Sequence, residues 1–210
     1  LFFLKMNSKN IQFLDANISV ESGVFSPRTE SEIFISILEN YIKDNMCLLE
    51  LGTGTGAISI AIALRFPNIN ITSVDKNIKA IECAKRNCKL NNVCNNISFL
   101  ESDWFSSIKE RKFDIIISNP PYLSKMNFSR YKNLNDPEES LFAGDNGLLE
   151  IKSIIDSCKN YMHDKSIIML EHSHSQTLEI KEYTAKSGIC YLGTYHDDLG
   201  FNRVSVFKKI

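Results

Sequence analysis

The sequence lacks several features that would place it in other protein classes. No apolar segment approaches the roughly 20 residues of a membrane-spanning helix, so no membrane association is expected. The 210-residue chain has six cysteines but no CxxC pair, and the spacing of Cys83, Cys88 and Cys94 does not match common zinc sites. His172 and His174 form an HxH pair without partners, for which surface or loop positions are expected. We therefore predict reduced cysteines and no metal site.

The chain also lacks an excess of one charge. Its 24 basic and 25 acidic residues leave a formal net charge of −1, whereas proteins that mainly grip phosphate backbones are usually basic. Nucleic acid is therefore an unlikely direct substrate. The apolar opening LFFLKM is too short for a secretion signal, and no cleavage-site pattern follows it. We expect a cytoplasmic monomer.

Apolar runs of strand length alternate with segments of helical period along most of the chain. Strands are predicted at residues 47–51, 69–74, 97–100, 113–118, 166–171, 190–195 and 203–208. Helices are predicted at residues 57–65, 77–90, 147–161 and 174–186. This alternation predicts an α/β fold with a mostly parallel seven-stranded sheet and helices on both faces. The last two strands have no helix between them, so an antiparallel edge strand is expected there.

Three further segments give more local predictions. Residues 11–24 alternate loosely and predict a short hairpin or edge segment. Thr29 and Glu32 have the spacing of a capping box, so a helix should begin near Thr29. Residues 123–146 show no clear periodicity and predict a long loop, which in a compact domain is usually functional.

The stretch LLELGTGTGAISIAIA, residues 48–63, reads as a strand, a glycine-rich turn and a helix. Its GxGxG spacing differs from the GxGxxG of dinucleotide sites. Glu50, just before the turn, would repel a phosphate and suit a cationic ligand group. Glycine lets a ligand approach the backbone closely, and threonine adds hydroxyl groups. The residues of this turn predicted to bind a cofactor are Gly52, Thr53, Gly54, Thr55 and Gly56.

Acidic and aromatic residues follow the next two predicted strands. Asp75 ends the second strand, where an acidic residue can hydrogen-bond ribose hydroxyls. Asp103 and Trp104 follow the third strand, where an adenine ring can lie against the indole. Together with Glu50, they favour a nucleoside with a cationic amino-acid-like tail. The predicted cofactor is therefore S-adenosylmethionine.

The fourth strand of the predicted sheet ends in the sequence Asn119-Pro120-Pro121-Tyr122. A planar NH₂ group is a poor nucleophile because its lone pair is delocalised. The Asn119 side-chain oxygen and the Pro120 carbonyl can accept its two N–H groups and aim the nitrogen at a methyl group, with Tyr122 as a flat wall. This site predicts methylation of a planar amine or amide, but it does not distinguish adenine, cytosine and glutamine.

Several segments together resemble one protein family. They are SPRTESE (26–32), ELGTGTGAI (50–58), SDWF (102–105), SNPPY (118–122), DPEESLFAGDNGL (136–148), LEHSHSQ (170–176) and DLGFNRV (198–204). In this order and spacing they are similar to the HemK/PrmC family, the glutamine methyltransferases of peptide-chain release factors. The resemblance implies a class I methyltransferase with a Rossmann-like fold, acting on the glutamine of the release factors' GGQ loop.

The resemblance also assigns roles to individual residues. It implies that Gly52 to Gly56, Asp75, Trp104 and Asn119 contact the cofactor, and that Asn119 to Tyr122 grip the glutamine. Asn119 and Pro120 are then the catalytic residues.

The chain departs from the family pattern in three places. The family's helical N-terminal domain has no counterpart, so we expect residues 1–28 to form a lead-in hairpin segment and residues 29–210 the methyltransferase domain. Thr29 stands where the family has proline, and Ser173 where it has glycine.

Three alternative functions share the same site. An adenine or cytosine amino methyltransferase would need a basic face and usually a target-recognition region, because the base must be flipped out. A ribosomal-protein glutamine methyltransferase also carries NPPY, but the PRTESE and LEH segments favour the release-factor branch. A scaffold without catalysis is disfavoured by the intact glycine turn and NPPY.

Overall fold

The computed structural model describes residues 9–131 and 136–210, and all of their side chains except those of residues 129–131. Its strands are β1 (Lys9–Phe13), β2 (Ala16–Val20), β3 (Cys47–Leu51), β4 (Asn70–Asp75), β5 (Ile97–Glu101), β6 (Phe113–Ser118), β7 (Met162–Glu171), β8 (Ile189–His196) and β9 (Asn202–Lys209). Its α-helices are α1 (Ile33–Leu38), α2 (Ala57–Arg65), α3 (Ile78–Leu90), α4 (Lys125–Tyr131), α5 (Leu149–Cys158) and α6 (Thr177–Lys186). No helix in this described part is long and apolar enough to cross a membrane.

Seven strands form one sheet in the order β5-β4-β3-β6-β7-β9-β8. Strand β9 pairs antiparallel with β7 and β8, and the other neighbouring pairs are parallel. The predicted α/β class, the seven-stranded sheet and the terminal hairpin are confirmed. In detail, the antiparallel strand β9 lies one place inside the edge, and β8 is the edge strand. Because no helix separates β8 from β9, β9 has to return antiparallel beside it.

Apolar side chains cover both faces of the sheet, which explains why its strands read as continuous hydrophobic runs. In β6, Ile115 and Ile117 pack into the cluster formed with α1, α2 and the β1–β2 hairpin. Ile116 points to the opposite face, into the cluster formed with α5. All three are at most 1% exposed. Two covered faces leave the ends of the strands as the place for a binding site.

The order of the central strands creates a crevice at one end of the sheet. From β3 the chain first crosses to β4 on one side, and β6 later pairs with β3 on the other side. Such a switch point in an open parallel sheet forms a crevice outside the carboxyl ends of the strands. The glycine turn follows β3 and the NPPY sequence follows β6, so both predicted sites lie at this crevice.

The predicted N-terminal hairpin is present, but the predicted capping box is not. Strands β1 and β2 pair antiparallel, and Phe13, Ala16 and Ile18 of this hairpin are at most 2% exposed in the core. Thr29 is already the first residue of a 3₁₀-helix, Thr29–Glu32, and the cap position belongs to Arg28 without a side-chain hydrogen bond. Thr29 therefore lacks the non-helical backbone that a capping side chain needs.

Two other local predictions need correction. The segment predicted as a structureless loop contains α4 and a 3₁₀-helix, Glu138–Ser140, and residues 132–135 lie outside the described residues. Its helix α4 is short and has no apolar stripe, so periodicity did not reveal it. His172 lies in the connection that follows β7, which agrees with a loop position, but it is fully buried and therefore not a surface residue. Its ring nitrogens are satisfied by the Ser205 hydroxyl at 2.7 Å and the Ser173 carbonyl at 2.9 Å.

Candidate active site

A cleft of about 910 Å³, partly open to solvent, lies at the carboxyl ends of β3, β4 and β6. Its lining contains most of the residues predicted to bind the cofactor. These are Gly52, Thr53, Gly54, Thr55, Asp75, Trp104 and Asn119. Gly56 lies outside the lining: it precedes α2 with a φ of +81°, and a Cβ there would come within 3.0 Å of the Ala84 Cβ on α3. Its position indicates a role in helix packing.

The glycine turn is held to the neighbouring strand by its backbone. The N–H groups of Gly52 and Thr53 both donate to the Val74 carbonyl, at 2.8 and 2.9 Å. Gly52 has a φ of +74°, and a Cβ there would lie 3.5 Å from the Trp104 ring. The turn therefore keeps a left-handed backbone beside an aromatic wall, where a side chain would be strained.

Glu50 lies beneath the glycine turn, outside the lining of the cleft. It is 1% exposed, and its carboxylate accepts hydrogen bonds from the hydroxyls of Thr53, at 2.6 Å, and Ser59. Burial raises the pKa of Glu50 to about 7, although the hydrogen bonds from the hydroxyls oppose this shift. Glu50 therefore does not face the cleft, where contact with a cationic ligand group was expected. It instead supports the glycine turn from below, through Thr53.

Asp75 links the end of β4 to the glycine turn. Its Oδ2 accepts the Gly54 N–H at 2.8 Å and its Oδ1 accepts the Asn77 N–H at 2.9 Å. Burial raises the pKa of Asp75, while these two hydrogen bonds act in the opposite direction. Each carboxylate oxygen has a second lone pair, so Asp75 can also accept hydroxyl groups from a ligand in the cleft.

Trp104 forms a fixed aromatic wall on the other side of the cleft. Its backbone is left-handed, with a φ of +46°. The indole N–H donates to Glu150 Oε2 at 2.8 Å, and the Ser102 hydroxyl donates to the Trp104 carbonyl at 2.8 Å. The ring orientation is thus set before any ligand arrives, which suits stacking against a planar base.

The NPPY residues separate this first cleft from a second one. Asn119 lines both clefts, Pro121 lines the first, and Pro120 and Tyr122 line the second. The second cleft also carries the side chain of Arg28 on its wall. An amide at Asn119 therefore faces two adjoining ligand spaces, as a residue aligning two reactants must.

A buried carboxylate holds two of the NPPY side chains. Asn119 Nδ2 donates to the Ser31 hydroxyl at 2.9 Å, and that hydroxyl donates to Glu171 Oε2 at 2.6 Å. Tyr122 donates its phenolic O–H to Glu171 Oε1 at 3.1 Å. Glu171 is 1% exposed, and burial raises its pKa to about 7 against the effect of both hydrogen bonds. Sequence reasoning assigned no role to Ser31 or Glu171.

The backbone of Tyr122 is held from the other side. Gln176 Nε2 donates to the carbonyls of Tyr122, Asn146 and Gly147, each at 3.1 Å. Gly147 has a φ of +74°, and a Cβ there would lie only 2.2 Å from the Tyr122 carbonyl oxygen. Asn146 and Gly147 belong to the segment DNGL, and Gln176 belongs to LEHSHSQ. The family resemblance included both segments but did not predict their contacts with Tyr122.

The segment around Arg28 is tied to the loop after α4. Arg28 forms an ion pair with Asp136, and the Ser26 N–H donates to Asp136 Oδ1 at 2.8 Å. The Asp136 side chain is 7% exposed. Ser140, a few residues further along this loop, lines both clefts, so the ion pair holds a shared wall in place.

Comparisons with known proteins show which family the chain is related to. Residues 15–134 match the family described as Methyltransferase small domain. The release factor glutamine methyltransferase of Buchnera aphidicola subsp. Acyrthosiphon pisum (strain APS) is 36% identical over 205 residues, covering 96% of this chain and 73% of that protein. The protein of the same name from Aliivibrio fischeri (strain ATCC 700601 / ES114) is 32% identical, covering 93% of this chain and 70% of that protein.

Among solved structures, the T. thermophilus 16S rRNA N2 G1207 methyltransferase, in complex with AdoMet and guanosine, superposes with a TM-score of 0.70 at 15% identity. The match covers 97% of this chain and 50% of that one, and it supports the class I methyltransferase fold. The extent of the sequence identity to the two relatives identifies the group more narrowly: the chain belongs to the release factor glutamine methyltransferase family.

Proposed function

We propose that this chain methylates the side-chain amide nitrogen of the GGQ glutamine in peptide-chain release factors, with S-adenosylmethionine as the methyl donor. The observation that carries the proposal is the meeting of two clefts at Asn119. One cleft has the Asp75 carboxylate, the Trp104 ring and the exposed backbone of the glycine turn, which suit an adenosine. The other is bordered by Pro120 and Tyr122 and suits a planar amide.

The residues of the first cleft fit the proposed methyl donor. Asp75 offers carboxylate oxygens to a ribose diol, Trp104 offers a fixed ring to an adenine, and Gly52 and Gly54 expose backbone to the ligand. When bound, S-adenosylmethionine supplies an electrophilic methyl group: the new N–C bond forms as the S–C bond breaks, and the nitrogen releases one proton to water.

The residues of the second cleft orient the proposed nucleophile. The Asn119 NH₂ group faces Ser31, so its side-chain oxygen is the atom that can accept an N–H of the glutamine amide. The Pro120 carbonyl is the proposed acceptor for the second N–H. Two acceptors in one plane fix the amide and aim its nitrogen, and alignment of this kind supplies a large part of the barrier reduction.

The direct experiment combines the chain, a release factor and isotope-labelled S-adenosylmethionine, followed by mass spectrometry of the GGQ peptide. We expect label on the glutamine, and Asn119→Ala should remove most of the transfer while partly keeping cofactor binding. Transfer near the wild-type rate in that variant would contradict the role of Asn119. Label in DNA, RNA or a ribosomal protein instead of the release factor would contradict the proposed substrate.

We also propose a cytoplasmic monomer built from a methyltransferase domain at residues 29–210 and a lead-in segment at residues 1–28. The six cysteines carry no disulfide, which fits a reducing compartment. Light scattering after size-exclusion chromatography tests the oligomeric state, and a mass near twice 23.9 kDa would contradict it.

A further inference from the structure

Glu171 is a buried carboxylate that lies behind the site without lining either cleft. It ends β7 and is 1% exposed, while the described linings of both clefts leave it out. It accepts hydrogen bonds from Ser31 and Tyr122, on two separate segments of the chain. Burying a carboxylate costs free energy unless it is hydrogen-bonded, so the role of its two hydrogen-bond partners needs a physical explanation.

The protons available in this network determine how the Asn119 amide is oriented. A serine hydroxyl has a single proton, and the 2.6 Å distance from Ser31 Oγ to Glu171 Oε2 is typical of a hydroxyl that donates to a carboxylate. Ser31 can then offer only lone pairs to Asn119, whose Nδ2 lies at 2.9 Å. The NH₂ end of Asn119 must therefore face Ser31, and its oxygen is turned away.

We propose that Glu171 is a positioning residue: through Ser31, its ionised carboxylate keeps the Asn119 side-chain oxygen presented to the substrate amide. This inference rests on the proposed methyl transfer at Asn119. Without the carboxylate as acceptor, the Ser31 proton can turn toward Asn119 and attract its oxygen. The Asn119 NH₂ would then face the substrate NH₂, and two donors cannot bond to each other.

The charges around Glu171 decide whether this network responds to pH. Burial raises the pKa of Glu171 to about 7, while Ser31, Tyr122 and the Arg203 cation on β9 favour its ionised form and Glu30 opposes it. Arg203 is paired with Asp197 at 2.7 Å. Burial also raises the pKa of Tyr122 well above its ordinary value.

The two remaining neighbours, His172 and Asp197, do not change their protonation state near neutral pH. Burial lowers the pKa of His172, so this ring is neutral there. Burial alone would raise the pKa of Asp197, but the hydrogen bond and positive charge of Arg203, together with hydrogen bonds from the backbone N–H groups of Phe201 and Leu199, lower it. Glu171 is thus the group of this network that titrates near neutral pH.

The first test compares Ser31→Ala with Ser31→Thr at saturating S-adenosylmethionine and release factor. Ser31→Ala should lower kcat by about 10- to 100-fold, because the acceptor is no longer aligned. Ser31→Thr restores one hydroxyl proton and should stay within about threefold of wild type. Ser36→Ala, which removes an exposed serine of α1, is the matched control. Melting curves and calorimetric S-adenosylmethionine affinity show whether each variant is folded.

The second test is the pH profile of kcat for the wild type and Glu171→Gln. The wild-type kcat should fall as the pH drops through about 7, and this acidic limb should be missing in Glu171→Gln, since an amide does not titrate. A folded Ser31→Ala variant with wild-type kcat, or an unchanged acidic limb in Glu171→Gln, would overturn the inference. If instead the wild type did not methylate release factors at all, the proposed function would fail first.

Discussion

Gly147 lies outside the linings of both clefts, yet its replacement by alanine should strongly reduce the rate of methyl transfer. The new Cβ would lie 2.2 Å from the Tyr122 carbonyl oxygen and 2.8 Å from Gln176 Nε2, whereas ordinary contacts begin at 3.4 Å. The Tyr122 backbone must then retreat by about 1 Å, and it would carry the NPPY residues with it. Misplacement of this size can cost about 100-fold in rate. We therefore expect kcat to fall by roughly that factor.

Gly144→Ala provides a matched control in the same loop. Gly144 has a φ of +78°, close to the +74° of Gly147, but a Cβ there would meet only Leu149 Cβ at 3.6 Å. Both variants bear the left-handed strain of about 1–2 kcal/mol, which lowers Tm by a few degrees in a domain of this size. Only Gly147→Ala should lose methyl transfer. Equal initial rates in the two variants would refute the link between Gly147 and the NPPY backbone.

Two other changes test the first cleft and the buried carboxylate beneath its glycine turn. Asp75→Ala should weaken S-adenosylmethionine binding by about 10- to 100-fold, because hydrogen bonds to a charged group contribute about 1.5–3 kcal/mol; an unchanged calorimetric affinity would argue against ribose binding. Glu50→Gln should flatten the pH dependence of stability. The pKa of Glu50 is raised from 4.5 to about 7 in the folded state, so its contribution is full below pH 4.5 and is lost as the pH rises through 7, by roughly 3 kcal/mol. Urea unfolding at pH 5 and pH 8 measures this difference, and an equally steep dependence in the variant would contradict it.

The parts of the fold that depend on local sequence were predictable. The apolar runs of β3 and β6 and the chemistry of the turns that end them are contained in short segments, so the positions of the glycine turn and of NPPY followed from the sequence. The capping box at Thr29 failed for a local reason as well. The helix does begin at Thr29, as predicted, but its cap position is Arg28, so Thr29 cannot act as the capping residue.

The supporting residues could not be predicted because their partners are distant along the chain. Asn119 bonds to Ser31 across 88 residues, and Ser31 bonds to Glu171 across 140 residues. No spacing rule connects such positions. Similarly, the sequence places Glu50 beside the turn but does not say whether its carboxylate points into the cleft or beneath it. Tertiary packing decides that question, and it turned Glu50 toward Thr53 and Ser59.

The long reach of the Asn119–Ser31–Glu171 hydrogen bonds has a consequence for biosynthesis. The three side chains come from widely separated parts of the chain, so they cannot meet until residue 171 has left the ribosome and β7 has joined the sheet. A partly synthesised chain that ends before Glu171 lacks the carboxylate of this network and therefore the oriented Asn119. The capacity to methylate should therefore appear only after residue 171 has been synthesised.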